Sequence, residues 1–217
     1  MARSARARRC ACTIWGRASP RASRSCRSST PRERAFMVEP SEWPAPIEAA
    51  GLAVRMEEGM QAATLRYFEP GGAFAAAVRE ASGAALPQPL EAAQSADGQL
   101  TLAWCSPTET LLLTPSAERL AQLEARLASA PDGCLVNLSG GLEVLRVTGE
   151  RLAELLSCLG GTASVPRPGE ARRSRVADVP VLALSVRPGE ALLLVDRAYA
   201  EHLMGWIRET LLDFEGA

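Results

Sequence analysis

The stretch Pro-Thr-Glu-Thr-Leu-Leu-Leu at residues 107–113 returns as Pro-Gly-Glu-Ala-Leu-Leu-Leu at residues 188–194. In both places an apolar run precedes the phrase, and a segment with helical spacing of apolar residues follows it. A turn that contains proline and an acid, set between two apolar runs, is typical of a β-hairpin. The repeat therefore predicts a fold in which a hairpin followed by a helix is built twice.

The residues around the first copy of the phrase predict a strand, a helix, a hairpin and a second helix. The expected elements are a strand at 61–68, a helix at 73–81 and hairpin strands at 100–105 and 110–114. Ser116 follows Pro115, and leucines at helical spacing come next, which is typical of a helix start. The first half is thus predicted to alternate strands and helices.

The residues around the second copy predict the same order with one further hairpin strand. The expected elements are strands at 134–138, 142–147, 172–176, 181–186 and 192–194, a helix that carries Leu152, Leu155, Leu156 and Leu159, and a closing helix at 197–214. Ser139, Gly140 and Gly141 separate the first two strands, so we expect these strands to pair through a tight turn.

Strands interspersed with helices make α+β the expected fold class, with two pseudo-repeated strand-helix-hairpin-helix units. We expect a first α+β half at residues 37–133 and a second at residues 134–217. Residues 1–36 are rich in Arg and Ser and poor in large aliphatic side chains, so we expect a disordered leader.

Three interpretations of this leader compete: an organelle transit peptide, a nucleic-acid-binding arm, or a start codon assigned too far upstream. We favour the last, with Met37 as the first residue. The composition changes at Met37, and every basic residue of the chain is Arg rather than Lys.

The formal net charge of −1 hides a strong asymmetry along the chain. Ten arginines and one acid precede Met37, whereas the remainder carries 14 arginines and 24 acids. An acidic body argues against nucleic acid as a partner, because phosphate binding needs a surplus of basic residues. No apolar stretch reaches the roughly 20 residues that span a bilayer. We therefore expect a cytoplasmic protein with no nucleic-acid and no membrane partner.

Few residues could carry chemistry. The chain has no lysine, so neither a phosphate-loop ammonium nor a Schiff base can form, and the six cysteines lack metal-ligand spacing. His202, the single histidine, is expected at an exposed or boundary position of the closing helix. We expect Cys158 to pack against its leucine neighbours. The sequence thus predicts no catalytic, cofactor-binding or metal-binding residue in this chain.

Two charged groups need separate interpretation. Glu57 and Glu58 lie in a stretch with glycine and methionine, and we expect both to be solvated. After Met37, the chain has one dense basic cluster, which consists of Arg172, Arg173 and Arg175. They could receive an anion or an acidic partner, although a solvated strand face is the favoured interpretation. With catalytic groups this sparse, a subunit that works through its surface fits better than a free-standing enzyme.

Several short segments carry a family resemblance that spans roughly residues 100–214. They are residues 102–113, 136–139, 145–149, 155–156, 169–172, 179–181 and 195–206. The first contains a Trp, a Pro, an acid and the leucine run, and the last contains Asp-Arg-Ala-Tyr-Ala-Glu-His-Leu. Together these segments resemble the gamma subunit family of heterotetrameric sarcosine oxidase, which is related to the folate-binding aminomethyltransferase fold.

This resemblance implies a complex that oxidatively demethylates sarcosine to glycine, with hydrogen peroxide and either formaldehyde or methylene-tetrahydrofolate as further products. It implies alpha, beta and delta subunits that carry FAD, FMN, NAD, zinc and tetrahydrofolate, and a non-catalytic gamma subunit without a cofactor. Under this interpretation we expect interface contacts from Arg172, Arg173 and the closing helix. A free-standing folate-binding aminomethyltransferase-like protein is the alternative, and a structural module unrelated to one-carbon chemistry is a third possibility.

Overall fold

The computed structural model of this protein describes residues 45–215, so the predicted leader at residues 1–36 lies outside the described residues. The helices and strands are β1 (Ile47–Ala49), β2 (Leu52–Met56), β3 (Gln61–Tyr67), α1 (Ala73–Ser82), β4 (Ala92–Gln94), β5 (Thr101–Ser106), β6 (Glu109–Thr114), α2 (Ala117–Leu127), β7 (Gly133–Asn137), β8 (Leu142–Gly149), α3 (Leu152–Gly160), β9 (Glu170–Val176), β10 (Val179–Ser185), β11 (Glu190–Asp196) and α4 (Arg197–Glu215).

The strands form two antiparallel sheets. The six-stranded sheet has the order β1-β2-β8-β11-β10-β9, and the five-stranded sheet has the order β4-β5-β6-β3-β7. Both copies of the repeated phrase form hairpins as predicted, since β5 pairs with β6 and β10 pairs with β11. Glu109 is the first residue of β6 and Glu190 is the first residue of β11. The phrase thus occupies the same place in each sheet.

The predicted repeat is present and is more complete than the sequence indicated. One unit runs β3-α1-β4-β5-β6-α2, and the other runs β8-α3-β9-β10-β11-α4. Within the sheets, the order β4-β5-β6-β3 matches the order β9-β10-β11-β8. The α+β class and the two pseudo-repeated units are therefore confirmed. The short strand β4 was not predicted, and neither were β1 and β2, which have three and five residues.

β7 joins the five-stranded sheet and β8 the six-stranded sheet, and this corrects one prediction. β7 and β8 were expected to pair through a turn, but β7 pairs with β3 and β8 pairs with β2 and β11. Residues 138–141 instead carry the chain from one sheet to the other. At the end of β7 the Leu138 N–H donates to the Ala62 carbonyl at 2.8 Å, and the positive φ of Gly140 then redirects the backbone. The division into halves at residues 133 and 134 stays a prediction.

The apolar residues of the two units build a four-layer stack of helices, sheet, sheet and helices. One core cluster joins the six-stranded sheet to α3 and α4, and it contains Leu145, Leu193, Leu155, Leu203 and Ile207. A second cluster joins the five-stranded sheet to α1 and α2, and it contains Leu65, Leu112, Phe74 and Leu120. A third lies between the sheets and contains Leu111, Leu113, Leu184, Leu192 and Leu194. Because side chains alternate along each strand, one set packs against the helices and the other set packs between the two sheets.

The two sheets are joined to each other along one side. The Ala92 N–H donates to the Gly169 carbonyl at 2.8 Å, and the Ala171 N–H donates to the Leu90 carbonyl at 2.9 Å. These bonds tie the β4 edge of one sheet to the β9 edge of the other. The sheets are therefore closed on the β4 and β9 side.

Candidate functional site

Each sheet has a face directed toward the other sheet, which we call its inner face. Leu111 of the five-stranded sheet and Leu192 of the six-stranded sheet lie on these faces, in the cluster between the sheets. Because side chains alternate along a strand, Glu109 and Glu190 lie on the inner faces as well. The same rule places Arg66 and Arg146 there, since they follow the inner residues Ala62 and Val144 at even spacing.

On the six-stranded sheet, these inner charges form a closed group that we call the Arg146 cluster. Arg146 Nε donates to Glu57 Oε1 at 2.6 Å, and its Nη2 donates to Glu57 Oε2 at 3.2 Å. Arg146 also donates to Glu190, and Arg55 Nε donates to Glu57 Oε1 at 3.0 Å. The side chain of Arg146 is only 22% exposed. One guanidinium therefore holds two carboxylates, one that follows β2 and one from β11, at one point of the sheet.

The electrostatics of the Arg146 cluster follow from these bonds. The hydrogen bond from Arg146 lowers the pKa of Glu57 below its ordinary value of 4.5, against the opposing effect of burial. The same bond raises the pKa of Arg146. The prediction that Glu57 is solvated was wrong, because the chain turns back after β2 and places this carboxylate beside β8. Glu58 is exposed, as predicted.

On the five-stranded sheet, the corresponding glutamate is partly buried, but the two arginines beside it are open to solvent. Glu109 accepts from Arg173 Nη2 at 3.2 Å and lies 3.8 Å from Arg66 Nη2. The side chain of Arg66 is 67% exposed, and that of Arg173 is similarly exposed. Exposed ion pairs of this kind contribute little to stability. The second copy of the phrase thus has a tightly held glutamate, and the first has a loosely held one.

Apolar side chains lie beside this open ion pair. Phe68 is 80% exposed and Val136 is 40% exposed, and Cys134 is exposed as well. A cleft of about 580 Å³ lies here, lined among others by Arg66, Phe68, Glu109, Asp132 and Cys134. We call the group of Arg66, Phe68, Glu109, Cys134 and Val136 the Phe68 surface. Exposed aromatic and apolar side chains beside an arginine are typical of protein interfaces.

The sequence contains a signal for Phe68 that our prediction did not use. Tyr67 and Phe68 are adjacent at the end of β3, and neighbouring strand residues point to opposite faces. Tyr67 is buried, and its hydroxyl lies 2.9 Å from the Thr110 hydroxyl. Two large aromatics in succession therefore indicate that one of them lies outside the helix-covered core.

A second candidate surface lies on α4. Tyr199, His202 and Trp206 follow one stripe of this helix, and Tyr199 and Trp206 are each about half exposed. The rings of His202 and Trp206 meet edge to face with centroids 6.4 Å apart. His202 is exposed, as predicted. Cys158 lines a cleft with these two residues and is exposed, so its predicted packing role was wrong: it lies at the solvent side of α3.

The predicted basic cluster is divided by the strand that carries it. Arg173 reaches the inner face and binds Glu109, whereas Arg172 points to the opposite face, where its Nε donates to Glu170 at 2.9 Å. That bond and the Arg167 N–H lower the pKa of Glu170 to about 2. Arg175 lies near Asp178 at 3.7 Å. Of the two arginines that we expected at an interface, Arg173 contacts a residue of the Phe68 surface.

The remaining candidate groups have structural partners. Burial raises the pKa of the Cys105 thiol, which lies between the sheets. Ser139 Oγ accepts from the Ala62 N–H at 3.2 Å and so fixes the crossing between the sheets. Within residues 45–215, no group of three or more His, Cys, Asp or Glu side chains is arranged to hold a metal ion. No helix in this part of the chain is long and apolar enough to cross a membrane.

Comparison with known proteins supports the sequence resemblance. Residues 69–211 match the family described as "Sarcosine oxidase, gamma subunit family". Sarcosine oxidase subunit gamma of Corynebacterium sp. (strain P-1) is 29% identical over 183 residues, which cover 76% of this chain and 89% of the relative. Sarcosine oxidase subunit gamma of Arthrobacter sp. is 30% identical over 150 residues, which cover 67% of this chain and 73% of the relative.

A solved structure has a similar fold. A chain of heterotetrameric sarcosine oxidase from Corynebacterium sp. U-96, in complex with pyrrole 2-carboxylate, superposes with a TM-score of 0.69 at 22% sequence identity. The match covers 79% of this chain and 89% of that chain. The fold thus extends over nearly the whole length of the solved relative.

Proposed function

Because the chain belongs to the sarcosine oxidase gamma subunit family, we propose that it serves as a non-catalytic subunit of a heterotetrameric sarcosine oxidase. The observation that carries this proposal is the family match, which extends over residues 69–211 and so covers most of both repeated units. The complex would oxidise sarcosine to glycine and produce hydrogen peroxide, with formaldehyde or methylene-tetrahydrofolate as the one-carbon product. The alternative of a free-standing folate-binding protein is not favoured by this membership.

The side chains of the described region support a role in assembly rather than in chemistry. Glu57, Arg146 and Glu190 are engaged with one another, and the single histidine lies against Trp206 on the surface of α4. By contrast, Phe68, Tyr199 and Trp206 expose large aromatic area to solvent. Exposed aromatics of this type supply most of the binding energy at protein interfaces.

The partners in this proposal are the alpha, beta and delta subunits of the complex. We infer that FAD, FMN, NAD, zinc and tetrahydrofolate are held by those subunits, and that the assembly works in the cytoplasm. This chain would then contribute surface and rigidity. The four-layer stack suits such a role, since helices cover the outer face of both sheets.

Reconstitution tests this function directly. The chain is co-expressed with the candidate alpha, beta and delta subunits, and sarcosine-dependent release of hydrogen peroxide is measured for the assembly and for the isolated chain. We expect peroxide from the assembly and none from the isolated chain. Peroxide formation by the isolated chain would overturn the non-catalytic role, and failure to associate with any candidate subunit would overturn the subunit assignment.

A further inference from the structure

We propose that the outer edge of β7 accepts an extended strand from a partner subunit, which lies against the Phe68 surface and adds a sixth strand to the five-stranded sheet. This inference rests on the proposed function, since it names the surface by which the chain would join its complex. It is carried by the internal repeat of the fold, by the geometry of the β7 edge and by the side chains that surround it.

The repeat shows a strand position that is filled in one sheet and open in the other. β7 lies next to β3 in the five-stranded sheet, as β2 lies next to β8 in the six-stranded sheet. β2 is covered in turn by β1, with Ile47 opposite Val54. Among residues 45–215, β3 is the strand that pairs with β7, and no strand occupies its other side. The place that β1 takes in one sheet is thus open in the other.

The main chain of β7 is arranged to accept such a strand. The Phe68 N–H donates to the Asp132 carbonyl at 3.2 Å, and the Leu138 N–H donates to the Ala62 carbonyl at 2.8 Å. Between these bonds, alternate residues face β3, so the main-chain groups of Gly133, Leu135 and Asn137 point outward. Since an extended backbone carries donors and acceptors at the matching spacing, the complementary occupant is another strand.

The side chains at this edge offer no protection against pairing. Folded proteins usually place lysine, proline or inward-pointing charge on an exposed edge strand. β7 reads Gly-Cys-Leu-Val-Asn and contains none of these. Val136 and Cys134 are exposed on the face that also carries Phe68. An incoming strand with an apolar residue on this face would cover them.

The charges beside the edge favour an acidic side chain in the incoming strand. Arg66 is 67% exposed and lies 3.8 Å from Glu109, which also accepts from Arg173. Arg66 is therefore loosely held and can turn toward a carboxylate of the partner. Asp132 also lines this cleft, where its carbonyl accepts from the Phe68 N–H. The predicted occupant is an extended segment that alternates apolar and polar residues and carries an Asp or Glu near Arg66.

The small size of the edge favours a partner subunit over a second copy of this chain. β7 has five residues and spans roughly 17 Å, so a β7–β7 pair would bury only a few hundred Å². A stable interface needs roughly 1,000 Å² or more. A larger subunit that docks elsewhere as well can supply that area and deliver one strand to β7.

Amide hydrogen exchange of the full-length chain, alone and in the reconstituted complex, tests the inference. In the free chain we expect rapid exchange at Leu135 and Asn137, because their N–H groups point outward. In the complex we expect both amides to slow by roughly tenfold or more. The amides of Cys134 and Val136 face β3, and they serve as internal controls that are protected in both states.

Substitution at Val136 gives an independent readout. Val136→Lys places a charge on the pairing edge, and we expect retention of the chain by its partners to fall by roughly tenfold or more. Val136→Thr keeps the β-branched shape without a charge, and it should retain the partners within about twofold. Both variants should unfold at the temperature of the parent chain when isolated, since the position is half exposed.

Four outcomes would overturn the inference, and only the last of them contradicts the proposed function. If the complex forms and the outward amides of β7 still exchange as in the free chain, the strand is absent while the proposed function stands. Protection that rises with the concentration of the isolated chain would assign the edge to a second copy. If the outward amides of β7 are already protected in the isolated monomer, another segment of this chain occupies the β7 edge. Failure of the complex to form would instead contradict the proposed function, and the inference with it.

Discussion

The inner faces of the two sheets have the same strand order and the same repeated phrase, yet their uncovered parts differ in chemistry. On the six-stranded sheet, Arg146 is 22% exposed and binds both Glu57 and Glu190. On the five-stranded sheet, Arg66 is 67% exposed and lies 3.8 Å from Glu109. Phe68 beside it is 80% exposed. On the six-stranded sheet, the charged groups therefore bind one another. On the five-stranded sheet, Arg66 and Phe68 are exposed and so available to a partner.

The two copies in a duplicated fold can therefore have different roles, one in stability and the other in binding. The strand order fixes where the two glutamates lie, but the side chains of the neighbouring strands decide whether each glutamate is enclosed. In the six-stranded sheet, the turn after β2 brings Glu57 to Arg146, and its N–H donates to the Val144 carbonyl at 2.8 Å. No comparable turn covers Arg66 in the described part of the five-stranded sheet. We therefore assign stability to one face and binding to the other.

Removal of the central arginine should separate the two inner faces most strongly. Arg146→Met leaves the carboxylates of Glu57 and Glu190 close together without a cation, and we expect a loss of about 2–3 kcal/mol in the free energy of unfolding. The matched variant Arg66→Met should cost less than about 1 kcal/mol, because its ion pair is exposed. Urea unfolding measures the free energy of unfolding of both variants. Equal losses of stability in the two variants would show that the two faces do not differ in their contribution to stability.

A smaller effect is expected when each repeated glutamate loses its charge. Glu190→Gln keeps the shape of the side chain but weakens the bond to Arg146, which should cost about 1 kcal/mol. Glu109→Gln should cost only a few tenths of a kcal/mol, since its partners are solvated. Thermal unfolding of the two variants in parallel gives the comparison. A larger loss for Glu109→Gln would reverse our assignment.

A lower pH should reduce the contribution of the Arg146 cluster to the free energy of unfolding. The pKa of Glu57 is lowered in the folded chain, chiefly by its bond to Arg146, so its stabilising effect is present above pH 4.5. That effect is lost as pH falls through the lowered pKa, because protonation then favours the unfolded chain. The difference in unfolding free energy between the parent and Arg146→Met should narrow below pH 4.5. Denaturant titrations at several pH values measure it, and a constant difference would contradict the account.

The smallest expected effect on stability is that of Phe68→Ser. Because this ring is mostly exposed, we expect the free energy of unfolding to change by less than about 0.5 kcal/mol. The matched core variant Leu65→Ala, three residues earlier and within β3, should cost about 2–5 kcal/mol. If Phe68→Ser is also strongly destabilising, then the ring supports the fold and the binding role of this face is wrong.

The sequence predicted the repeat and most of the elements because apolar spacing is a local property. The hairpins at Pro107 and Pro188, and the helix that begins after Ser116, follow from such spacing, and Ser116 Oγ indeed accepts from the Arg119 N–H at 3.1 Å. The pairing of β7 and β8 was predicted incorrectly, because proximity in sequence favours a hairpin and only the tertiary core decides which sheet a strand joins.

The candidate site was harder to predict than the fold. Its residues come from β3 and the position directly after it, from β6 and from β7, which are distant in sequence, and only Glu109 belongs to the repeated phrase. The three arginines at 172, 173 and 175 looked like one cluster, but strand alternation sends Arg172 to the face opposite Arg173. The one local sign in the sequence that Phe68 is exposed is its position directly after Tyr67. Family resemblance, confirmed by the match over residues 69–211, predicted more about function than any single residue did.

The most direct test of the central claim is the mass of the assembly that contains this chain. The chain is co-expressed with the candidate alpha, beta and delta subunits, and size-exclusion chromatography with light scattering determines the mass and composition of each peak. We expect the chain to elute in one peak with its partners, and we expect Val136→Lys, but not Glu190→Gln, to shift it toward the position of the free monomer. Elution of the parent chain as a free monomer beside an assembled complex of the other subunits would contradict it.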